Sequence, residues 1–221
     1  MSNVESAIIP GIRITSTWQL ALAWIGASIV AVPLAVLLHE LGHVVFYLVF
    51  GFPDVVLHYS SATYATERTF WQLISRGNFA AAASTIPLWK AGIATAAGLL
   101  VTCVAALVSC FFAGRKNPNP LVFAFGIFAP VRFLAGIPVL LAWLSGRPVR
   151  SGTDEAHLAA LTDIPLIVLI IAGLLFLALV WIWMVGRIPK DHRWVSLGGL
   201  VSGLSLGIVL YFWVIGPRLL P

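Results

Sequence analysis

Long runs of apolar residues, separated by short polar stretches, divide this chain into five segments. The runs cover roughly residues 17–50, 88–113, 121–144, 165–185 and 195–215. A helix needs about 20 apolar residues to cross the hydrocarbon core of a bilayer, and the runs reach that length. The pattern therefore predicts an all-α multi-pass membrane protein with about five transmembrane helices, built as a single domain over residues 1–221.

The first apolar run is long and contains Pro33. A helix over residues 17–50 would extend roughly 50 Å, whereas the hydrocarbon core is about 30 Å thick. Such a helix must tilt, kink at Pro33 or protrude from the bilayer. Two helices joined at Pro33 are the alternative, but no polar turn residues surround this proline. We therefore expect one helix.

The long connection over residues 51–89 predicts ordered structure outside the five spans. Residues 55–59 and 63–66 are rich in β-branched and aromatic side chains, which favour extended chain. Residues 67–79 carry apolar side chains on one side and polar ones elsewhere, as expected for a helix in the membrane interface. We therefore predict a re-entrant β-like excursion after the first transmembrane helix.

Composition supports a membrane protein and argues against one class of partner. Hydrophobic residues make up 60% of the chain, charged residues make up 10%, and the mean hydropathy is +1.00. The formal net charge is +5, but the basic residues are scattered at the ends of the apolar runs. Basic residues in such positions contact lipid headgroups, so we expect the lipid bilayer as a partner and no nucleic acid. The Lys and Arg residues outside the spans are divided evenly between the two sides of the membrane, so they do not predict its orientation.

The sequence His39-Glu40-Leu41-Gly42-His43 places three ionisable side chains inside the first apolar run. On a helix the two histidines lie one turn apart on the same face, which is the spacing that one zinc ion requires. The glutamate matches the general base that acts on a metal-activated water. The motif predicts His39 and His43 as metal ligands, Glu40 as the catalytic base, and one Zn²⁺ per chain. The alternative is a pair of helix-packing histidines beside a hydrogen-bonded glutamate.

A catalytic zinc usually has three protein ligands, so a third one is expected. The motif lies in the second half of the first span, near the side where loops 51–89 and 145–164 would emerge. Asp191 and His192 would lie on the opposite side and are excluded on that ground. The remaining candidates in the two loops are Asp54, His58, Glu67, Asp154, Glu155, His157 and Asp163.

The order of these features resembles the site-2 protease family of intramembrane zinc metalloproteases. The HELGH motif is followed by the excursion, by residues 97–100 (Ala-Gly-Leu-Leu) and by Asp154 at the start of a later helix. Residues 97–100 resemble the family's Gly-Pro element, with Leu99 where proline is usual. Thr153 and Glu155 flank Asp154 where the family has Leu and Gly. The resemblance implies that Asp154 is the third zinc ligand.

Other roles for the loop candidates stay open. Asp154 also suits a helix N-cap, because residues 156–161 favour a helix. Glu155 is the second candidate for the third ligand, and it would be that ligand in the other group of membrane HExxH peptidases. Asp163 lies just before the fourth apolar run and resembles an N-cap. His58 is expected to be a strand residue at the interface.

Arg132 lies near the middle of the third apolar run and therefore needs a partner or water. One hypothesis is that its guanidinium holds an acidic residue of the site or the substrate carbonyl. The alternative is a structural ion pair or a side chain that extends to the membrane surface.

These features predict an intramembrane zinc metalloendopeptidase of the cell membrane. Its substrate would be a membrane-spanning or membrane-associated protein or peptide, hydrolysed by zinc-activated water. The alternative is a zinc-binding membrane protein that does not cleave, such as a pseudoprotease, a sensor or a transporter. A transporter would be expected to carry ligands on several helices near mid-membrane, with a path to both faces.

Overall fold

The computed structural model describes residues 6–9, 12–14, 16–114, 119–147 and 152–220. Within these ranges the chain is mostly helical, and five helices are long and apolar enough to cross a membrane, as the sequence predicts. They are Thr17–Val49, Leu88–Ala113, Pro120–Leu144, Leu166–Arg187 and Lys190–Leu219. Two short antiparallel strands, β1 (Ser6–Ile9) and β2 (Ile12–Ile14), precede the first helix and were not predicted.

Large apolar side chains cover the outside of the helices. Phe111, Ile182 and Trp213 are 70%, 72% and 81% exposed, and they lie on three different spans. Soluble proteins rarely expose apolar surface of this extent. The exposed faces therefore agree with a bundle that is surrounded by lipid.

The first helix, α1 (Thr17–Val49), is continuous through Pro33, so the single-helix prediction is confirmed. It begins after Ser16, whose hydroxyl accepts a hydrogen bond from the backbone N–H of Gln19. It packs against helix α4 (Leu88–Ala113), helix α5 (Pro120–Phe128) and helix α9 (Arg193–Val209), and therefore lies at the centre of the bundle.

Small residues allow α1 and α9 to approach closely. A side chain at Gly203 would begin only 2.5 Å from the Ile25 carbonyl oxygen, and one at Gly199 would lie 2.9 Å from the Ala21 oxygen. Four-residue spacing of glycines is a common way to bring membrane helices into backbone contact. The last span continues beyond α9 as a π-helical turn (Leu210–Ile215) and the short helix α10 (Gly216–Leu219).

The third span is not one regular helix. Helix α5 ends at Phe128, a 3-10 segment follows over Ala129–Ala135, and helix α6 continues over Gly136–Leu144. Pro130 supplies a physical reason, since it has no backbone N–H and cannot continue the helical bonding pattern. Irregular backbone at membrane depth is tolerated where it is buried in protein or lines a cavity. This segment contains Arg132.

The connection after α1 contains two strands and two helices. Strand β3 (Val56–Leu57) pairs antiparallel with β4 (Ala62–Thr63), which agrees with the predicted extended chain but is shorter than residues 55–59 and 63–66. Helices α2 (Glu67–Ser75) and α3 (Phe79–Thr85) follow. The predicted single helix over residues 67–79 is wrong at its end, because Gly77 adopts a φ of +73° and breaks it.

Two helices complete the chain, α7 (Asp154–Leu161) and α8 (Leu166–Arg187). The N-cap position of α7 is Thr153, so Asp154 is a residue of the first turn and not the cap. The N-cap position of α8 is Pro165, so the predicted capping role of Asp163 is wrong. Helix α7 packs against α4, which brings its first turn over the C-terminal half of α1.

Candidate metal centre

Helix α1 buries the His-Glu-x-x-His motif against α4. His39, Glu40 and His43 are 7%, 9% and 3% exposed, and the Nε2 atoms of the two histidines are 3.2 Å apart. Gly42 makes this approach possible, because a side chain there would lie 3.1 Å from the Ala97 carbonyl oxygen. The two imidazoles therefore face a common point between the helices, as the spacing of the motif predicts.

Helix α4 orients both imidazole rings. The Nδ1–H of His43 donates to the Ala94 carbonyl oxygen at 2.8 Å, and the Nδ1 of His39 lies 3.0 Å from the Thr102 hydroxyl. With the proton on Nδ1, each ring keeps the lone pair of its Nε2 for another partner. Such partners for the outer nitrogen are typical of metal-binding histidines, because they select the tautomer and hold the ring.

Asp154 completes a group of three potential ligand atoms. Its Oδ2 lies 3.1 Å from the Nε2 of His39 and 3.3 Å from the Nε2 of His43. Zinc bonds of about 2.0–2.1 Å in a tetrahedron require ligand atoms about 3.3–3.4 Å apart. The three separations are therefore close to those of one face of a zinc tetrahedron. Among the described residues, this is the one group of three metal-ligating side chains close enough to share an ion.

Glu40 lies beside this group and is not part of it. Its Oε1 is 3.9 Å from the Nε2 of His39. A carboxylate at this distance can accept a hydrogen bond from a water at the fourth position of the tetrahedron. The position of Glu40 therefore agrees with a base rather than with a ligand.

Arg132 contacts the same group from the 3-10 segment of the third span. Its Nη2 forms an ion pair of 2.7 Å with the Oδ2 of Asp154, and its Nη1 contacts the Nε2 of His39. The hypothesis that the guanidinium holds an acidic residue of the site agrees with this contact. The alternative in which the side chain extends to the membrane surface does not. A guanidinium N–H and a metal ion compete for the Nε2 lone pair of His39, so an ion bound here requires the Nη1 of Arg132 to move off that nitrogen.

The local charges favour an ionised carboxylate at Asp154. Burial raises the pKa of this carboxyl, but its contacts with the His39 and His43 rings and the charge of Arg132 outweigh burial. The pKa of Asp154 therefore lies well below its usual value. An ionised carboxylate is the form that binds a metal.

Two cavities meet at the group. The first has a volume of about 260 Å³ and is polar, and the second has a volume of about 330 Å³ and is largely apolar. His39, Glu40, Ser60 and Arg132 line both. The other polar and ionisable residues of the first cavity are His43, Tyr47, Ser61, Glu67, Thr95, Thr153, Asp154 and His157.

Two further titratable groups line the polar cavity. Burial raises the pKa of Glu67 to about 7, and it lowers the pKa of His157, whose ring stacks on Trp71 at 3.9 Å. Both residues were candidates for the third ligand. They lie outside the group of ligand atoms but within the cavity through which water would reach it.

The remaining candidates lie away from the group. Asp54 and Asp163 are exposed. His58 follows β3 rather than belonging to it, so its predicted place in a strand is wrong, and its ring is 3.1 Å from the Thr63 hydroxyl. Glu155 is buried, and its Oε2 lies 3.9 Å from the Nη2 of Arg132. It is not among the three residues whose ligand atoms converge.

Sequence reasoning did not identify the residues of α4 that support the histidines. Ala94 and Thr102 orient the rings, and Gly98 faces them so closely that a Cβ there would overlap the Nε2 of His43. In the sequence, residues 97–100 stand out only because they resemble the Gly-Pro element of the site-2 protease family. The available signal was weak, since a carbonyl acceptor leaves no trace in the sequence and single Thr and Gly residues are common in transmembrane helices.

Comparisons of the chain with protein-family models, with curated proteins and with solved structures find no match. The resemblance to the site-2 protease family therefore stays a prediction.

Proposed function

We propose that this protein is an intramembrane zinc metalloprotease of the cell membrane. His39, His43 and Asp154 would hold the zinc, and Glu40 would act as the general base. The main support is the separation of 3.1–3.3 Å between the three ligand atoms, with the Glu40 carboxylate beside them. Three ionisable groups gathered between apolar helices are costly unless a cation or a reaction uses them.

The bound zinc would supply Lewis-acid activation of a water and of the substrate carbonyl. Glu40 accepts the proton of the attacking water and returns it to the leaving amine. The Nδ1–H of His43 points at the Ala94 carbonyl oxygen, which leaves the Nε2 lone pair of this ring for the ion. The water enters through the polar cavity. Helix α2 borders this cavity, as do Gly152 and Thr153, which precede α7.

Arg132 acts in this proposal as a positioning residue for Asp154. Its Nη2 lies 2.7 Å from the Oδ2 of Asp154, and a planar guanidinium restrains a carboxylate in orientation as well as in place. When the ion binds, the guanidinium withdraws from the Nε2 of His39 and stays paired with the Asp154 carboxylate. Its charge remains beside the site and favours the developing negative charge of the substrate carbonyl.

The excursion after α1 would receive the substrate. A transmembrane helix shields its own peptide bonds, so a substrate must unwind before it is cut. Ser60, Ser61 and Ala62 line the polar cavity, and Ala62 belongs to strand β4. The edge of the β3–β4 pair is therefore close enough to the site to bind an unwound segment as an added strand. We propose that the excursion is re-entrant and presents this edge within the membrane.

The test is the substitution Glu40→Gln in protein reconstituted into lipid vesicles. A panel of transmembrane peptides serves as substrate, cleavage is followed by mass spectrometry, and bound zinc is measured by atomic emission. We expect wild-type protein to bind about one zinc per chain and to cleave. Glu40→Gln should retain the zinc and lose cleavage. Glu155→Gln is the matched control, and it should retain both.

The outcomes separate the proposal from its alternatives. Cleavage by Glu40→Gln rules out Glu40 as the base. Zinc bound by a wild-type protein that cleaves no peptide of the panel favours the zinc-binding protein without protease activity. That second candidate has one specific support, since the Arg132 contacts to Asp154 and His39 neutralise the group without an ion. Loss of zinc in Glu155→Gln would make Glu155 the third ligand.

A further inference from the structure

The largely apolar cavity of about 330 Å³ lies between α1, the 3-10 segment of the third span and the end of the last span. Its volume is at the lower end of the range of small-molecule sites, about 300–1,000 Å³. Its apolar wall is formed by Ala35, Val36, Phe128, Val131, Ile208 and Phe212. This wall suits an apolar group, and the polar residues of the cavity lie on the side of the candidate metal centre.

One wall of this cavity belongs to the candidate metal centre. His39, Glu40 and Arg132 line it, and the same three residues line the polar cavity on the other side. A substrate whose scissile bond lies at Glu40 would therefore have water on one side and the apolar cavity on the other. The side chain next to the scissile bond is the part of the substrate that can reach this cavity.

We propose that the apolar cavity is the specificity pocket of the site and takes one large aliphatic or aromatic side chain from a residue that flanks the cleaved bond. This inference rests on the proposed zinc protease function. The occupant follows from the position of the cavity, because a group that enters it also touches the wall formed by His39 and Glu40.

Packing, rather than transfer from water, would select the side chain. A substrate residue that arrives from lipid is already in an apolar medium, so it gains chiefly from van der Waals contact with the pocket wall. Poor fit in a hydrophobic pocket changes rates or affinities by about 10–200-fold per methylene group. Filling or enlarging the pocket should therefore change the preference for side-chain size by at least about 10-fold.

Hydroxamates provide a test that does not depend on cleavage. The probes are acetohydroxamate, which carries only a methyl group, and hydroxamates that carry an isobutyl, benzyl or naphthylmethyl group. Affinity for the zinc-loaded protein in detergent is measured by calorimetry. We expect the isobutyl and benzyl probes to bind wild-type protein at least about 10-fold more tightly than acetohydroxamate.

Two substitutions at one pocket residue should act in opposite directions. Ile208→Trp fills the cavity and should remove the advantage of the isobutyl and benzyl probes over acetohydroxamate. Ile208→Ala enlarges the cavity and should favour the naphthylmethyl probe. Val209→Trp is the matched control, since Val209 is the next residue of the same helix, is 53% exposed and does not line the cavity.

The outcomes distinguish failure of the specificity pocket from failure of the zinc site. If the loaded protein binds acetohydroxamate and no variant changes the preference for size, the specificity pocket is wrong and the zinc site stands. An n-octyl hydroxamate completes the series, and if it binds more tightly than the benzyl probe in every variant, the cavity binds a lipid acyl chain instead. A protein that binds no zinc, or binds zinc without acetohydroxamate, overturns the proposed function and the inference with it.

Discussion

Gly98→Ala is the substitution whose effect on metal binding the structure predicts most directly. The added Cβ would overlap the Nε2 of His43 and lie 2.6 Å from the Cε1 of His39. Carbon atoms in optimal contact are about 3.5–4.0 Å apart, so the His39 ring must retreat by about 1 Å. A zinc site tolerates deviations of about 0.2 Å in its bond lengths. The two histidines therefore cannot keep their positions relative to Asp154.

The expected loss follows from this displacement. Changes beside a metal site that only disturb the orientation of a ligand weaken metal binding by about 10–100-fold. Gly98→Ala moves the ligand rings themselves, so we expect zinc affinity to fall by at least about 100-fold, or about 2.7 kcal/mol. Zinc affinity is measured by competition with a fluorescent chelator. Circular dichroism and thermal unfolding in detergent report whether the helices remain assembled.

The matched control is Gly92→Ala on the same helix. No atom lies within 4 Å of a Cβ placed at Gly92, so this variant should bind zinc as the wild type does. Both substitutions replace glycine with a better helix former, which removes helix propensity as an explanation of any difference. A folded Gly98→Ala protein with wild-type zinc affinity would refute the proposed arrangement of the site.

Three further predictions concern residues around the site. Thr102→Val keeps the shape of the side chain but removes the partner of the His39 Nδ1, so zinc affinity should fall about 10-fold in the competition assay. An unchanged affinity would contradict the role of Thr102 in orienting the His39 ring. Arg132→Lys keeps the charge but loses the planar guanidinium whose Nη2 holds Asp154, so kcat/KM should fall at least about 10-fold while zinc content stays near one per chain. Near-normal activity argues against positioning by the guanidinium. Burial raises the pKa of Glu67 from 4.5 to about 7, so the folded state binds this proton more tightly than the unfolded state does. The protonated Glu67 therefore contributes fully to the free energy of unfolding below pH 4.5, and this contribution declines as the pH rises to 7. Metal-free Glu67→Gln should therefore lose less thermal stability than metal-free wild type between pH 4.5 and pH 8, and equal losses would show that Glu67 does not titrate in this range.

The sequence determined the spans and the local part of the site. Apolar runs long enough to cross a bilayer predict helices because backbone polar groups in hydrocarbon must bond within their own segment. His39 and His43 lie on the same face of α1 because residues four apart in a helix share a face. The helix pitch alone predicts this. The break in the third span agrees with Pro130, but its 3-10 geometry and its contact with Asp154 were not evident from an apolar run.

The way in which distant residues combine depends on how the helices pack. Asp154 is 115 residues from His39, and no periodicity relates positions so far apart in the chain. The same holds for Ala94, Gly98 and Thr102, because their contacts depend on how close α4 approaches α1 and on its rotation about its own axis. The apolar cavity depends on three spans at once. Helix pitch is a local property of the backbone, whereas crossing distance and rotation result from the packing of complete helix surfaces.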